Sequence, residues 1–463
     1  MIENRDTPFL RNKVYLFLVL AVIGTTLFSW FNLNSLLIML LIVCRLVDGR
    51  RPLHRVRMAF TNKYFLAYLA IFLIEAMGLL YTHDLYTAYK HVESKATLVA
   101  IPFLFCSGAF TDRKGYRQFL WGYCLLLAGT GLFCLAVAGY RYGQTGNTDV
   151  FFYHPLTEVI GVNAVFFSEY VVIALLLLLS PAAAPMGGSA KGGAGVDDGR
   201  TRRVRAGGGG GRREKRQART ARLRAGLIVF FSGLMILLAS KLLLVMLVII
   251  FLFNLGMRAR VRLTAWAILG LTVLVVLVTG VLALTRNPVE ERYQDMFRND
   301  WQYGGSIHFS SDAVFSGVQL RLLMWRFADE ILDEQHAWLI GVSAGDSQRL
   351  LDEKYRAANM PFVSLGYNFH NQFIEILVRS GILGLCVFLA ALGMLVELTR
   401  RTGTMEAWFV LLSMVLLAMT ESTLEMQHTL FAFCFFPLMV ARRLTRSSGS
   451  LRGSWRRREA HGS

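Results

Sequence analysis

Four side chains stand where their types could do chemistry: His370, Arg321, Lys241 and Arg379. His370 opens the apolar run Phe369-His370-Asn371-Gln372-Phe373-Ile374-Glu375-Ile376-Leu377-Val378-Arg379-Ser380-Gly381-Ile382-Leu383-Gly384-Leu385. An imidazole at such a boundary can take a proton from an incoming hydroxyl near neutral pH; a purely structural histidine is the alternative. Arg379 falls about 13 Å further along a helix, among Ile, Leu and Val, with Glu375 one turn earlier as its natural ion-pair partner. Lys241 follows Ser240 between two apolar runs, where an ammonium must snorkel or serve a buried anion. Arg321 lies in a segment of helical spacing, and Arg326 and Glu330 further along it can pair. For Arg321 a structural ion pair elsewhere is the alternative. Fixed cations beside a histidine suit a phosphate-bearing substrate, because a guanidinium holds phosphate oxygens in pairs. The outer-face groups Tyr153-His154-Pro155, Glu158, Glu169, Glu421, Glu425 and His428 have no spacing that demands a particular chemistry. Metal-ligand motifs and a Walker loop are absent, and no nucleophile elbow is read, so neither a metal nor a cofactor is expected.

The elements that must position these residues are membrane helices. Of 463 residues 54% are hydrophobic, and the mean hydropathy is +0.46, where soluble domains sit near roughly 45–50% apolar. The excess is concentrated in runs long enough to cross a bilayer core. About 12 spans are expected, near 14–30, 33–47, 64–81, 95–110, 118–140, 163–180, 225–240, 241–257, 263–285, 371–396, 406–422 and 427–441. Continuous apolar runs in lipid mean helices, so the fold class is all-α and polytopic. The six cysteines lie within or at the ends of these runs and read as small buried apolar residues.

The net charge of +18 would suit nucleic acid, but the positions of the charges oppose that reading. Lys and Arg crowd into alternate connections, at 1–13, 45–63, 111–117, 181–224, 257–262, 398–405 and 441–463, while the intervening short connections are nearly free of them. This is the positive-inside pattern. It puts both termini in the cytoplasm, makes membrane lipid the partner of the basic excess, and leaves no role for nucleic acid. The Gly/Arg-rich stretch 181–224 has too few apolar residues to fold alone and is expected to be a disordered cytoplasmic loop. The long polar segment 286–370 then lies outside. In it, Ser316 could cap a helix running through Gln319 to Leu332, with Leu320, Leu323, Phe327 and Ile331 forming one apolar face. The expected layout is 1–285 for nine spans, 286–370 for a large outer loop, 371–441 for three more spans and 442–463 for a basic tail.

The run from Phe369 to Leu385 resembles the His-Asn…Leu…Gly-Ile-Leu-Gly signature of the O-antigen ligase and O-antigen polymerase superfamily of bacterial membrane glycosyltransferases. Ser240-Lys241 is similar to that family's Ser-Arg pair at the start of a mid-chain helix. Arg321-Leu322-Leu323-Met324-Trp325, followed by Gly341 and Gly345, resembles its Arg-x-x-x-Trp…Gly-x-Gly loop helix. About 12 spans with a large loop before the tenth is also the family layout. The resemblance covers roughly residues 160–440. It implies a periplasmic outer loop in the bacterial inner membrane and glycan transfer without metal or cofactor. The donor would be a glycan on undecaprenyl pyrophosphate. The acceptor would be lipid A-core for a ligase, another glycan chain for a polymerase, or a protein for an O-oligosaccharyltransferase. Carried over by position, Arg321 and Lys241 would bind the pyrophosphate and His370 would act as base or position the acceptor. Arg326, Asn371, Glu375 and Arg379 are candidate supporting residues. Lys241 departs from the usual Arg, Ser343 stands where the second Gly of Gly-x-Gly would fall, and a single His precedes Asn where many ligases have a second His nearby. Outside the class, a transporter or flippase would require paired half-repeats and broken helices near the midplane; no such repeat is evident.

Overall fold

The structure is a computed structural model that describes residues 12–48, 52–108, 113–180, 210–238, 317–360 and 366–442, together with Ser240, Leu243, Met246 and Ile250. Lys241, Ser316, most of the expected spans 241–257 and 263–285 and the basic tail lie outside the described residues. Among the described residues the regular structure is entirely helical. The order is α1 (Lys13–Leu27), α2 (Phe31–Val47), α3 (Pro52–Phe60), α4 (Lys63–Met77), α5 (Leu85–Ser94), α6 (Thr97–Cys106), α7 (Arg113–Thr145), α8 (Tyr153–Thr157), α9 (Ala164–Leu179), α10 (Gly210–Leu238), α11 (Gly317–Glu334), α12 (Ser347–Ala357), α13 (Gln372–Thr402), α14 (Met405–Ala418) and α15 (Gln427–Arg442).

Side-chain caps fix where several of these helices begin. Asn12, Asn62, Asp84, Asn163 and Asn371 each accept a hydrogen bond from the first turn of the helix that follows, satisfying donors that lipid or packing would otherwise leave bare. Each expected span within the described residues is a helix. Among the described residues four helices are long and apolar enough to cross a membrane, and up to six if each bent pair is one span, which does not confirm the expected count of about 12. In one such pair, Tyr153–Ile160 turns by 85° into α9 at Gly161, whose φ is +68°. Helices α1, α14 and α15 are shorter and apolar. Helix α10 begins at Gly210, inside the stretch expected to be a disordered loop, and Arg224 on it donates from Nε to the Leu178 carbonyl (2.7 Å).

Apart from Ser168 and Glu169, helix α9 is apolar all round, and it is buried over almost its whole length, the pattern of a helix at the centre of a bundle. Two tyrosines stitch it to its neighbours: Tyr123 of α7 donates to the Tyr170 carbonyl (2.7 Å), and the Tyr170 hydroxyl donates to the His428 carbonyl (2.8 Å). On one side of this bundle α11 and α12 form a separate small core. Leu323, Phe327 and Ile331 are buried against Leu351, Tyr355, Phe369 and Val378, with Leu320 at the edge, which is the apolar face that the spacing predicts.

Helix α13 is broken at Gly381 (φ +63°, ψ −166°). A break within an apolar helix leaves backbone donors and acceptors without their partners four residues away. The loop after α11 supplies replacements. Val342 and Ser343 donate to the carbonyls of Val378 and Arg379 (2.8 and 3.0 Å), while Ile382 and Leu383 donate to those of Trp338 and Leu339 (2.8 and 3.2 Å). The two backbones lie so close that a Cβ on Gly381 would sit 2.3 Å from Leu339 C, and one on Gly341 (φ +74°) 2.3 Å from Arg379 C. The Gly-Ile-Leu-Gly run therefore contains the break, and Gly341 is its counterpart in the loop.

Candidate active site

Three segments converge on the start of α13. Asn371 caps it, accepting from Phe373 N (2.9 Å) and Ile374 N (3.2 Å), and its amide donates to the Met419 carbonyl (3.1 Å) just past α14. His370 has φ +46°, a backbone region that non-glycine residues rarely occupy and that clusters at functional sites. The Asn368 side chain holds that turn by accepting from His370 N (3.0 Å). From α11, Trp325 donates from Nε1 to the Phe369 carbonyl (3.1 Å). Arg321, one turn earlier, donates from Nη2 to Glu421 Oε1 (2.8 Å), from Nε to the Thr420 carbonyl (3.1 Å) and from Nη1 to the Gly317 carbonyl (3.0 Å). The other oxygen of Glu421 lies 2.9 Å from His370 Nδ1.

One carboxylate thus bridges the histidine and the arginine. An ionised carboxylate only accepts hydrogen bonds, so Nδ1 of His370 carries a proton, and in the neutral imidazole the lone pair is then at Nε2. Arg321 uses three of its N–H groups on protein oxygens and keeps two for a ligand. A cavity of about 210 Å³ adjoins the bridge; His370, Glu421, Ser422, Asn163, Asn368 and His428 are among its lining residues.

Beneath the bridge lies a buried ionic network. Arg379 pairs with Glu375 (2.6 Å) and with Glu425, and its Nη1 is 2.9 Å from His91 Nε2. Lys95, buried, pairs with Glu425 (2.7 Å) and donates to the Leu424 carbonyl; Glu75 reaches His91 (3.3 Å). Ser422 donates to Glu375 (2.9 Å), and Leu424 N donates to Gln372 Oε1 (2.6 Å). Charges taken out of water need such multiple partners. The effect is to hold the loop 419–426, and with it Glu421, against the first turns of α13.

Of the residues singled out from sequence, the structure brings His370 and Arg321 together and sets Asn371 beside them. Glu375 and Arg379 form the expected pair one layer below. Arg326 pairs with Glu330 (2.8 Å), which also binds Lys354 (3.0 Å) and so ties α11 to α12. Lys241 lies outside the described residues. Glu421, seen in the sequence only as one carboxylate among several, is the centre of the site, and Glu425, Lys95, His91 and Glu75 were not connected to Arg379. One reading of the sequence needs correction. Gly341-Val342-Ser343-Ala344-Gly345 does spell the Gly-x-Ser-x-Gly pattern. An elbow needs a strand before the serine and an exposed hydroxyl. Here Ser343 is fully buried, with its hydroxyl on Asp346 (3.3 Å), and it follows helix α11 and a turn, so it is a turn residue. Its φ of +75° shows why a glycine would also suit the position.

A family model for O-antigen ligase matches residues 225–389. This match supports an O-antigen ligase superfamily domain over that stretch of the chain. Members of that superfamily are membrane glycosyltransferase-like enzymes that use lipid-linked glycans and a glycan acceptor. No curated protein sequence matches the chain. The matched stretch contains Lys241, Arg321, His370, Arg379 and the Gly381 break, and it ends before α14. Glu421, Glu425 and His428, and Lys95 at the other end of the chain, therefore come to the O-antigen ligase domain from outside it.

Proposed function

We propose that the chain transfers a glycan from undecaprenyl pyrophosphate to a hydroxyl of lipid A-core, at the periplasmic face of the bacterial inner membrane, without a metal ion. The observation that carries this reading is the Glu421 bridge, which holds an imidazole lone pair and a guanidinium on either side of one carboxylate. The acceptor hydroxyl attacks the anomeric carbon of the donor, and its proton passes to Nε2 of His370. The bond from the anomeric carbon to the pyrophosphate oxygen breaks, and its electron pair stays on the pyrophosphate, which the remaining N–H groups of Arg321 and the ammonium of Lys241 stabilise. Attack in line with the leaving group inverts the anomeric centre. About 12 spans with both termini cytoplasmic accompany this reading.

The test is reconstitution of purified protein with lipid-linked glycan and lipid A-core in the presence of EDTA. Transfer is expected, and His370→Ala is expected to lower kcat by roughly 10²–10⁴-fold, the usual worth of a general base. Undiminished transfer by His370→Ala and Arg321→Ala would overturn the site. Lengthening of glycan chains without lipid A-core would make the enzyme a polymerase, and transfer to a protein hydroxyl an O-oligosaccharyltransferase.

A further inference from the structure

The cavity beside Glu421 has a second imidazole that the reaction above does not use. His428 is 5% exposed, lines the cavity, and has its Nε2 3.1 Å from Ser29 Oγ. The Ser29 hydroxyl has one proton, and the carbonyls of Ile160 (3.1 Å) and Gly161 (3.0 Å) are its acceptors. Ser29 Oγ therefore accepts from Nε2–H, which leaves Nδ1 as a bare lone pair. That Nδ1 is buried and has no hydrogen-bond partner among the described residues, although an unsatisfied buried acceptor costs about 1–3 kcal/mol. Phe31, with its ring 5.2 Å away edge-on, and Phe166, stacked at 6.5 Å, hold the imidazole in place.

His370 lines the same cavity, and Glu421 adds a carboxylate. Among the described residues no lysine or arginine lines the cavity. Acceptors without a cation attract hydroxyl donors and repel phosphate oxygens. Arg321 does not line the cavity; it approaches Glu421 at the other oxygen. At about 210 Å³ the space is below the roughly 300–1,000 Å³ of pockets that enclose whole small molecules, so it admits one ring of a longer chain.

We infer that this cavity seats the acceptor sugar, an uncharged polyhydroxyl ring, and that His428 Nδ1 accepts a hydrogen bond from one of its hydroxyls while another faces His370. The inference rests on the glycan-transfer reading and divides its site: donor pyrophosphate on the Arg321 side of Glu421, acceptor sugar on the His428 side.

The experiment measures KM for donor and acceptor separately in the reconstituted enzyme. His428→Gln places its amide near the Nε2 position, keeps the Ser29 contact and loses the Nδ1 acceptor; the acceptor KM is expected to rise about tenfold, the worth of one hydrogen bond, with the donor KM unchanged. His428→Asn returns a carbonyl acceptor to the Nδ1 position and is expected to recover most of that loss. In the wild type, inorganic pyrophosphate is expected to compete with donor and not with acceptor, a readout that does not depend on any variant folding. Competition with acceptor, a rise in donor KM alone, or equal behaviour of the Gln and Asn variants would overturn the assignment of the cavity while leaving glycan transfer intact. No transfer by the wild type would overturn both.

Discussion

At the residue scale the site depends on a shared acceptor. Glu421 accepts from Arg321 through one oxygen and from His370 through the other, so the two cannot be perturbed independently. Glu421→Gln keeps the volume but replaces one oxygen by an amide NH₂, which in either orientation faces an N–H donor, of Arg321 or of His370. The expected result is a fall in kcat approaching that of His370→Ala. The double variant should be little worse than either single one, because groups that act as a unit are not additive. Single-turnover rates of the two single variants and the double variant check this. Multiplicative losses would show that Glu421 and His370 act separately. Arg321→Lys keeps the charge but cannot reach Glu421, Thr420 and Gly317 together, since a lysine offers a point charge in place of a fork.

At the element scale the break in α13 sets the site's position. The four hydrogen bonds between 338–343 and 378–383 fasten the loop after α11 to the broken helix. This fixes the distance from Arg321, on α11, to His370, at the start of α13. Gly381→Ala would place a Cβ on the Leu339 backbone at a positive φ. It is expected to cost at least about 1–3 kcal/mol from left-handed strain alone, seen as a clear drop in Tm in detergent together with loss of transfer. Gly393→Ala on the same helix, where a Cβ would meet nothing within 4 Å, is the control and should leave both unchanged. The ion pairs under the break belong to the same device: removing one partner of a buried pair typically costs about 3–5 kcal/mol, so Arg379→Met should lower the Tm in a way that Arg326→Met does not.

At the scale of the whole molecule, Asp346 ties the turn after α4 to the loop before α12. Its Oδ2 accepts from His83 N (2.8 Å) and Thr82 Oγ1 (3.1 Å), and Oδ1 accepts from Arg349 (3.0 Å). Burial alone would raise its pKa, but the hydrogen bonds from His83, Arg349 and Thr82 outweigh burial and hold the carboxyl below the usual range. A depressed native pKa gives stability that is fully present above the unfolded value of about 3.9 and is lost as pH falls through the native value. The Tm gap between wild type and Asp346→Asn is therefore expected to be constant from pH 7 to pH 5 and to close in stronger acid; a gap that widens on acidification would contradict this. The proposed orientation has its own test. Alkaline phosphatase fused after Asn359 is expected to be active, and after Gly403 inactive. The reverse pattern would place the Glu421 bridge on the cytoplasmic side.

The sequence by itself determined the class of molecule, because hydropathy and helical spacing are local properties. Apolar runs marked out the helices, and the stripe Leu323, Phe327, Ile331 defined the buried face of α11. It also picked out His370 and the Glu375–Arg379 pair, since a polar side chain at the edge of or within an apolar run has few harmless explanations, and Arg321 from the pattern of the loop helix. Only the tertiary structure decided that Glu421 joins His370 to Arg321, that Glu425 and Lys95 complete the partners of Arg379, and that Ser29 fixes the His428 ring. These contacts link positions 50 to 400 residues apart in sequence, a separation that no periodicity encodes. Gly381 gives the clearest case. In the sequence it is a glycine in a helical run; its left-handed φ is explained only by the backbone of 338–343, which takes over the hydrogen bonds that the helix gives up.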